Sequence, residues 1–392
     1  MKVPPDYPGA VMIDEEEIQS VVEVLKAKSP FRFYGPSLLG KTKSFEEKFA
    51  EFVGVKHALA VSSGTAALVV SLRALGIGEG DEVIVPANTF IASAGAVLES
   101  GATPVYAEVD ESLTIDVNKI EERITPKTKA LMVVHFAGVP CKMNDVLEIV
   151  KEHGLILIED CAQACGASFN GKKVGSFGDI GAFSFQINKI ITTGDGGAIT
   201  TNDEKIYLRA VRAHDQGCLR DENGHLHIEI SNEAFYSSNY RMTELAAAVG
   251  IVQLAKIDRI ISAMRENKKK IVERLGSLKN YSFAKIWDED GDTGRNLILI
   301  AQNVSQAKCL TDNLSKLGFA AAVPYEGLPV YANKQIRDMK DWKGRTKDID
   351  KFKPCPYTEN LLPRTVIIGI NPLFEEDHID TLVKIIRECD ES

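Results

Sequence analysis

The sequence predicts an α/β fold in which helices cover both faces of a mostly parallel sheet. Short apolar runs of strand length alternate with amphipathic segments of helical length, and this alternation is typical of βαβ units. The predicted strands are residues 58–61, 82–86, 104–109, 130–136 and 155–159. A chain of 392 residues exceeds what one hydrophobic core usually serves. We therefore expect one large domain with a smaller companion.

Helices precede and follow this alternating region. Residues 14–28 carry acidic side chains in the first turn and apolar side chains at helical spacing, which predicts an amphipathic helix. A second helix near residues 44–53 ends at Gly54, the residue type expected just past a helix. Further helices are predicted at 243–275, 304–317 and 375–389, and further strands at 296–301 and 365–370. Prolines crowd residues 324–363, so we expect irregular structure there.

Composition and charge narrow the class of protein. The chain is 44% hydrophobic and 26% charged, which is ordinary for a soluble protein, and its net charge of -9 argues against a nucleic-acid binder. The first residues lack the apolar core of an export signal, and the uncharged run at 83–98 is too short to span a membrane. The seven scattered cysteines suit reduced thiols. We expect a cytoplasmic protein without a nucleic-acid or membrane partner.

One lysine, Lys189, stands beside a predicted strand and a glycine cluster. The apolar residues expected to form a sleeve around it are Phe183, Phe185, Ile187, Ile190 and Ile191. An amine that loses hydration has a lowered pKa and can form a Schiff base with an aldehyde. Ser184 lies on the predicted strand, close enough to contact a cofactor that carries this aldehyde. The glycines at 194, 196 and 197 allow a tight turn after the lysine. The alternative is a hairpin with an ordinary solvated lysine.

Two other predicted strands end in residues that suit a cofactor. Ser63, Gly64 and Thr65 follow the strand at 58–61 and begin a helix, whose free N–H groups and positive dipole end suit a phosphate. The alternative for these residues is a simple N-cap. Phe90 follows the strand at 82–86 and could stack on an aromatic ring, although a core aromatic is the more common role.

Asp160 follows the apolar strand at 155–159. A buried carboxylate is costly unless it has a cationic partner, and the protonated pyridine nitrogen of pyridoxal phosphate is such a partner. Gln163 could donate to a neighbouring ring oxygen. The alternative for Asp160 is a helix N-cap. Cys161 and Cys165 lack redox-pair spacing and no His/Cys cluster has zinc spacing, so we expect no metal site.

Together, these motifs resemble the DegT/DnrJ/EryC1/StrS family of sugar aminotransferases. They are Ser63-Gly64-Thr65, residues 80–86 with Thr89-Phe90, Glu159-Asp160-x-Ala162-Gln163, Phe183-Ser184-Phe185, residues 189–197 and residues 239–245. The resemblance implies PLP-transferase fold type I, with a seven-stranded, mostly parallel sheet between helices and a smaller C-terminal α+β domain. We place the large domain at 12–255 and the small domain at 256–392, and expect residues 1–30 to pack with the small domain.

The resemblance also implies a role for each site residue. Lys189 would hold pyridoxal 5'-phosphate (PLP) as a Schiff base, and Asp160 would pair with its pyridine nitrogen. Gln163 would contact the ring oxygen, and Phe90 would stack on the ring. The remaining cofactor-binding residues would be Ser63, Gly64, Thr65 and Ser184, with Asn239 reaching in from the second subunit of a homodimer.

The implied reaction moves an amino group from glutamate or glutamine to a keto sugar, for polysaccharide or antibiotic biosynthesis. The acceptor would be a nucleotide-linked keto-deoxysugar, a keto sugar acid or a keto-cyclitol. Two alternatives stay open: a PLP-dependent dehydratase or lyase, and a non-catalytic regulatory protein with this fold. In the dehydrating branch a histidine replaces the Schiff-base lysine, so Lys189 favours transamination.

Two segments depart from the family spacing, residues 37–44 and the long loop at 214–239. In the family these regions line the substrate mouth, so the departures leave the acceptor open. His225 and His227 alternate within the loop as in a strand. We expect both histidines to be exposed rather than to bind a metal.

Overall fold

The computed structural model describes residues 2–226, 232–341, 343–344, 346 and 353–391. The helices are α1 (Glu15–Lys26), α2 (Lys41–Val53), α3 (Gly64–Ala74), α4 (Ile91–Ser100), α5 (Met143–His153), α6 (Glu204–His214), α7 (Glu244–Leu275), α8 (Val304–Lys316), α9 (Lys334–Arg337), α10 (Pro356–Leu361) and α11 (Glu376–Glu391). The strands are β1 (His57–Val61), β2 (Glu82–Pro86), β3 (Thr103–Ala107), β4 (Thr128–Val134), β5 (Ile156–Asp160), β6 (Ser168–Phe169), β7 (Lys172–Lys173), β8 (Ile180–Ser184), β9 (Gly197–Thr201), β10 (Tyr281–Phe283), β11 (Asn296–Ala301), β12 (Ala321–Ala322) and β13 (Thr365–Gly369). Across these described residues, no helix is both long and apolar enough to cross a bilayer.

Seven strands form the large sheet, in the order β1-β9-β8-β5-β4-β2-β3. Strands β8, β5, β4, β2 and β3 pair in parallel, while β9 runs antiparallel to β1 and to β8. The predicted α/β fold with a mostly parallel sheet is therefore confirmed. Because β1 and β8 both oppose β9, the carboxyl ends of β1, β2, β5 and β8 meet at one edge.

Helices cover both faces of this sheet, because neighbouring residues of each buried strand point to opposite sides. On one face Ala182 joins the apolar cluster of α3, α4 and α6. On the other, Phe183 packs edge-on against Phe49 of α2, and the cluster continues into α7. Helix α5 covers the same face farther along the sheet, through Met143 and Val146. Both faces are thus closed to solvent, and the polar groups of the site gather at the strand ends.

The C-terminal part contains a second sheet of four antiparallel strands, in the order β10-β11-β13-β12. Helices α8 and α11 pack against each other there and contribute to its apolar cluster. Helix α7 runs unbroken from Glu244 to Leu275, across the predicted boundary between residues 255 and 256. The domain boundaries stay a prediction.

The first residues of the chain contact both parts of the protein. Lys256 of α7 forms ion pairs with Glu17 at 2.7 Å and with Asp14 at 2.8 Å. Before α1, the Pro5 carbonyl accepts a bond of 2.8 Å from the Asn371 side chain, and the Gly9 N–H donates to the Lys189 carbonyl at 3.4 Å. This N-terminal segment, residues 2–12, therefore lies between the turn that carries Lys189 and the second sheet.

Helix α2 begins at Lys41, three residues before its predicted start near residue 44. The carboxylate of Glu244 accepts from the Lys41 N–H at 2.7 Å and from the Thr42 N–H at 2.8 Å. A side chain about 200 positions away in sequence thus takes the place of an N-cap, which a local pattern cannot reveal. The region at 324–363, predicted to be irregular, contains the short helices α9 and α10 among its described residues.

Glu159, the residue before Asp160 on β5, is fully buried and holds the segment that leads into β8. Its carboxylate accepts from the N–H groups of Gly175 at 2.8 Å, Phe177 at 2.7 Å and Gly178 at 2.7 Å. His135 Nε2 lies 3.1 Å away, and because His135 Nδ1 accepts from a backbone N–H, Nε2 carries the proton and donates to Glu159. This carboxylate therefore satisfies several buried donors at once.

We predict that Glu159→Gln lowers the free energy of unfolding by about 3–5 kcal/mol, because the amide NH2 group would face buried N–H donors. Urea denaturation of the purified protein measures the change. Glu152→Gln is the matched control, since Glu152 is exposed and its replacement should stay within about 0.5 kcal/mol of the wild type. Equal stability of the two variants would contradict this account of Glu159.

Candidate active site

A cavity of about 530 Å³ opens at the sheet edge where the four strands end, a volume typical of small-ligand sites. Its lining includes every residue predicted to bind the cofactor except Asn239. These residues are Ser63, Gly64, Thr65, Phe90, Asp160, Gln163, Ser184 and Lys189. The structure thus brings together side chains separated by more than 120 positions in the sequence.

The start of α3 forms a seat for an anion beside β8. Ser63 is the N-cap and its Oγ accepts from the Ala66 N–H at 3.0 Å. The N–H groups of Gly64 and Thr65 have no partner inside the helix, because they belong to its first turn. A Cβ added at Gly64 would lie 2.6 Å from the Ser184 Cβ, so only glycine allows the helix start to approach β8 this closely. The cavity wall here therefore combines two N–H groups of the first helical turn, the positive end of the helix and the Ser184 hydroxyl. Together these groups suit an anion such as a phosphate.

Asp160 lies at the end of β5 and is 4% exposed. Its Oδ2 accepts from Ser93 Oγ at 2.7 Å and its Oδ1 accepts from the Ala162 N–H at 3.1 Å. Burial raises the pKa of Asp160, and these two hydrogen bonds and the Lys189 charge oppose the rise. Turns rather than a helix follow Asp160, so the N-cap alternative is wrong. No described residue forms an ion pair with this buried carboxylate, so it suits a cationic ring nitrogen in the cavity.

Lys189 follows a turn after β8, and its side chain lines the same cavity. Burial lowers the pKa of Lys189, the Asp160 carboxylate opposes this, and the Arg295 guanidinium lowers it further. The predicted sleeve is wrong at Ile187, which is 41% exposed because it stands on the outer side of the turn. Phe183 is buried in the core between the sheet and α2. The amine is therefore desolvated mainly by enclosure in the cavity.

Gln163 is oriented by two contacts. Its Oε1 accepts from the Ala137 N–H at 3.1 Å, so its NH2 group points the other way and donates to the Tyr325 hydroxyl at 3.3 Å. The second N–H of that NH2 group is left for a ligand oxygen. Phe90 is 55% exposed at the cavity, so the alternative of a core aromatic is wrong. Its ring centroid lies 6.5 Å from that of Tyr325.

The lining residues that sequence reasoning missed include Ser93, Arg295 and Tyr325. The Ser93 hydroxyl lies 2.6 Å from Thr89 Oγ1 at the start of α4. The four-residue spacing of these two hydroxyls was the only local sign that Ser93 faces the same side as the Thr89-Phe90 motif. Tyr325 has a left-handed backbone with φ of 48°, in a segment recognised only as irregular. Arg295 precedes β11 in the second sheet, and no local pattern connects it to the lysine.

Asn239 is exposed and lies outside the cavity of its own chain. Its Oδ1 accepts from the Arg241 N–H at 3.1 Å. The described residues of the segments 37–44 and 214–239 do not line this cavity either. The role of Asn239 in a second subunit stays a prediction. The His225 side chain is 67% exposed, as expected, whereas His227 lies outside the described residues.

One buried group of residues has the composition of a metal site although the sequence spacing gave no sign of it. His135, Glu159 and Cys161 place one potential ligand atom each within 4.8 Å of one another. The hydrogen bonds already described occupy both nitrogens of His135 and both oxygens of Glu159. Burial raises the pKa of the Cys161 thiol, which keeps it protonated. These contacts give the group a structural role.

Comparison with known proteins identifies the family. The model of the DegT/DnrJ/EryC1/StrS aminotransferase family matches residues 11–387. The chain belongs to this family. The match confirms the predicted family and its PLP cofactor.

Individual relatives agree with this assignment. GDP-perosamine synthase of Vibrio cholerae is 46% identical over 57% of this chain and 59% of that protein. The spore coat polysaccharide biosynthesis protein SpsC of Bacillus subtilis is 32% identical over 96% of this chain and 95% of its own. The crystal structure of 3-amino-5-hydroxybenzoic acid synthase superposes with a TM-score of 0.86 at 29% identity, covering 99% of both chains. The chain spans 59% to 68% of the length of the curated GDP-perosamine synthases that it matches.

The residues of the cavity fit PLP. Asp160 offers a buried carboxylate, Gln163 the second N–H of its amide, and the start of α3 a phosphate-sized seat. Lys189 offers the desolvated amine that a Schiff base requires. These residues would hold the ring nitrogen, the ring oxygen, the phosphate and the aldehyde carbon, respectively.

We predict that Lys189→Ala removes the absorbance of the bound Schiff base and lowers the rate of amino transfer by at least about 1000-fold, because the amine is both cofactor anchor and base. Absorbance spectra and stopped-flow mixing with an amino donor measure both effects. Lys172→Ala is the control, since that lysine is exposed and outside the cavity. Normal turnover by Lys189→Ala would refute the assignment.

We also predict that Ser93→Ala shifts the acid limb of the pH–rate profile to higher pH. The Ser93 hydrogen bond lowers the pKa of Asp160, so its removal raises this pKa and the carboxylate is lost earlier as the pH falls. The rate near neutral pH should fall about 10-fold or more. Ser20→Ala is the control, because the Ser20 hydroxyl is also buried and bonded, to the Ala248 carbonyl, but is remote from the cavity. An unchanged acid limb would contradict the role of Ser93.

Proposed function

We propose that this chain transfers an amino group from glutamate or glutamine to the keto group of a nucleotide-linked keto-deoxysugar. The observation that carries the proposal is the presence of a half-buried lysine and a buried carboxylate in one cavity that also contains an anion seat. The similarity to GDP-perosamine synthases, at 45% to 46% identity, supports the choice of acceptor.

The chemistry divides between the cofactor and the protein. Bound PLP supplies an electron sink for the bond that breaks at the donor Cα. The Lys189 amine, whose pKa is lowered by burial, would take the proton from that carbon as general base. Asp160 would stabilise a positive charge at the ring nitrogen, and the Ser93 hydrogen bond favours the ionised form of Asp160 because it lowers the pKa of that carboxyl. Gln163 would orient the ring through the second N–H of its amide.

A homodimer completes this proposal. Asn239 is exposed and lies away from the cavity of its own chain, so it is free to contact the phosphate in a second copy. Segments 37–44 and 214–239 would border the mouth of the partner's cavity in the same way. Such an arrangement would make the acceptor site depend on both subunits, in the cytoplasm where nucleotide-linked sugars are made.

The alternatives are less well supported. A dehydratase of the related branch would carry histidine in place of Lys189. A regulatory protein that only binds a ligand would not need Asp160 and Lys189 to have oppositely shifted pKa values in one cavity.

We predict that the purified protein is yellow, that glutamate or glutamine bleaches the absorbance of the Schiff base, and that a GDP-linked 4-keto-6-deoxysugar restores it. The restored absorbance reports amino transfer to the acceptor, and mass spectrometry identifies the amino sugar. A free keto sugar acid and a keto-cyclitol are the comparison acceptors. Protein that stays colourless with added PLP would favour the binding-protein alternative, and recovery with the cyclitol alone would replace the proposed acceptor class.

A further inference from the structure

Arg295 has no role in the proposed mechanism, although it lines the cavity. It is the only arginine or lysine besides Lys189 among the described residues of the lining. Asp160 and Asp195 supply the negative charges there, and Asp160 is assigned to the ring nitrogen. The cavity therefore contains one cation that the cofactor does not explain.

The guanidinium of Arg295 is buried and incompletely bonded. The residue is 8% exposed, and its Nη2 pairs with Asp6 Oδ2 at 2.8 Å. Its buried Nη1 has no hydrogen-bond partner among the described residues. A buried unsatisfied donor is costly, most of all on a charged group. Asp6 contacts only Nη2 of the planar guanidinium. The unpaired Nη1 therefore indicates a missing anionic partner.

The position of Arg295 indicates which anion is missing. Its charge lowers the pKa of Lys189, so the two groups are near enough to interact. In an α-amino acid the carboxylate is bonded to the reacting carbon, about 1.5 Å away. Any cation that holds this carboxylate must therefore lie beside the lysine that takes the proton. The phosphate already has a separate seat at the start of α3, formed by Gly64, Thr65 and Ser184.

We propose that Arg295 binds the α-carboxylate of the amino donor, with Asp6 of the N-terminal segment holding the guanidinium in place. The inference rests on the proposed function and adds the residue that would recognise the donor, through its α-carboxylate. Arg295 thereby selects the donor in the first half of the reaction, whichever acceptor follows.

The test compares L-glutamate with isoglutamine, in which the α-carboxylate is a neutral amide and the amine is unchanged. Bleaching of the holoenzyme in stopped-flow experiments gives kcat/KM for each donor. Wild type should prefer glutamate by about 100-fold, and Arg295→Gln should lose this preference through a higher KM for glutamate. Arg295→Lys keeps the positive charge but loses the planar guanidinium with its paired N–H donors. This variant should prefer glutamate to an intermediate degree.

Lys268→Gln is the matched control for loss of a buried cation. The Lys268 side chain is 11% exposed, pairs with Asp292 three positions before Arg295, and lies outside the cavity. This variant should keep the full preference for glutamate. Calorimetric titration with glutarate, which cannot react, provides a second measurement, and Arg295→Gln should bind it about 100-fold more weakly than Lys268→Gln.

The outcomes separate this inference from the proposed function. Wild type that reacts with glutamate but prefers it no more than isoglutamine would overturn the role of Arg295 and leave amino transfer intact. The same conclusion would follow if Arg295→Gln kept the preference and the glutarate affinity. Wild type that binds PLP but reacts with neither donor would instead contradict the proposed function.

Discussion

The site depends on placing an acid and an amine in one cavity with limited access to water. Asp160 is buried and Lys189 is half-buried, and the loss of hydration raises the pKa of the first and lowers the pKa of the second. Each shift would be reduced if the groups were solvated, and each group suits a different part of one cofactor. The surrounding structure, from the buried hydroxyl of Ser93 to the packed helices on both faces, keeps water away from this pair.

The order of the strands brings these charges together. Strands β5 and β8 are neighbours in the sheet, and Asp160 pairs in register with Ala182, two residues before the end of β8. The chain then turns through Lys189 and returns along β9, so the lysine stands above the strand end where the carboxylate lies. The return of the chain after Lys189 thus accounts for β9, the antiparallel strand in an otherwise parallel sheet.

The fold and much of the site were predictable because their signals are local. Strand length, glycine at a helix start and a carboxylate after an apolar run are each visible within a few residues, as at Gly64 and Asp160. The cap that Glu244 supplies to α2, the strained turn at Tyr325 and the approach of Arg295 are different. They arise from contacts between segments that are far apart in the chain, and a single sequence contains no local trace of them.

The N-terminal segment makes completion of the cavity depend on contacts between distant parts of the chain. Gly9 bonds to the backbone of Lys189, Asp6 to Arg295, and Pro5 to the side chain of Asn371. Residues 5–9 can therefore reach these positions only after the segments around residues 189, 295 and 371 have folded. The large sheet uses strands between residues 57 and 201 and can form earlier, whereas the cavity beside Lys189 stays open on one side until the second sheet is in place.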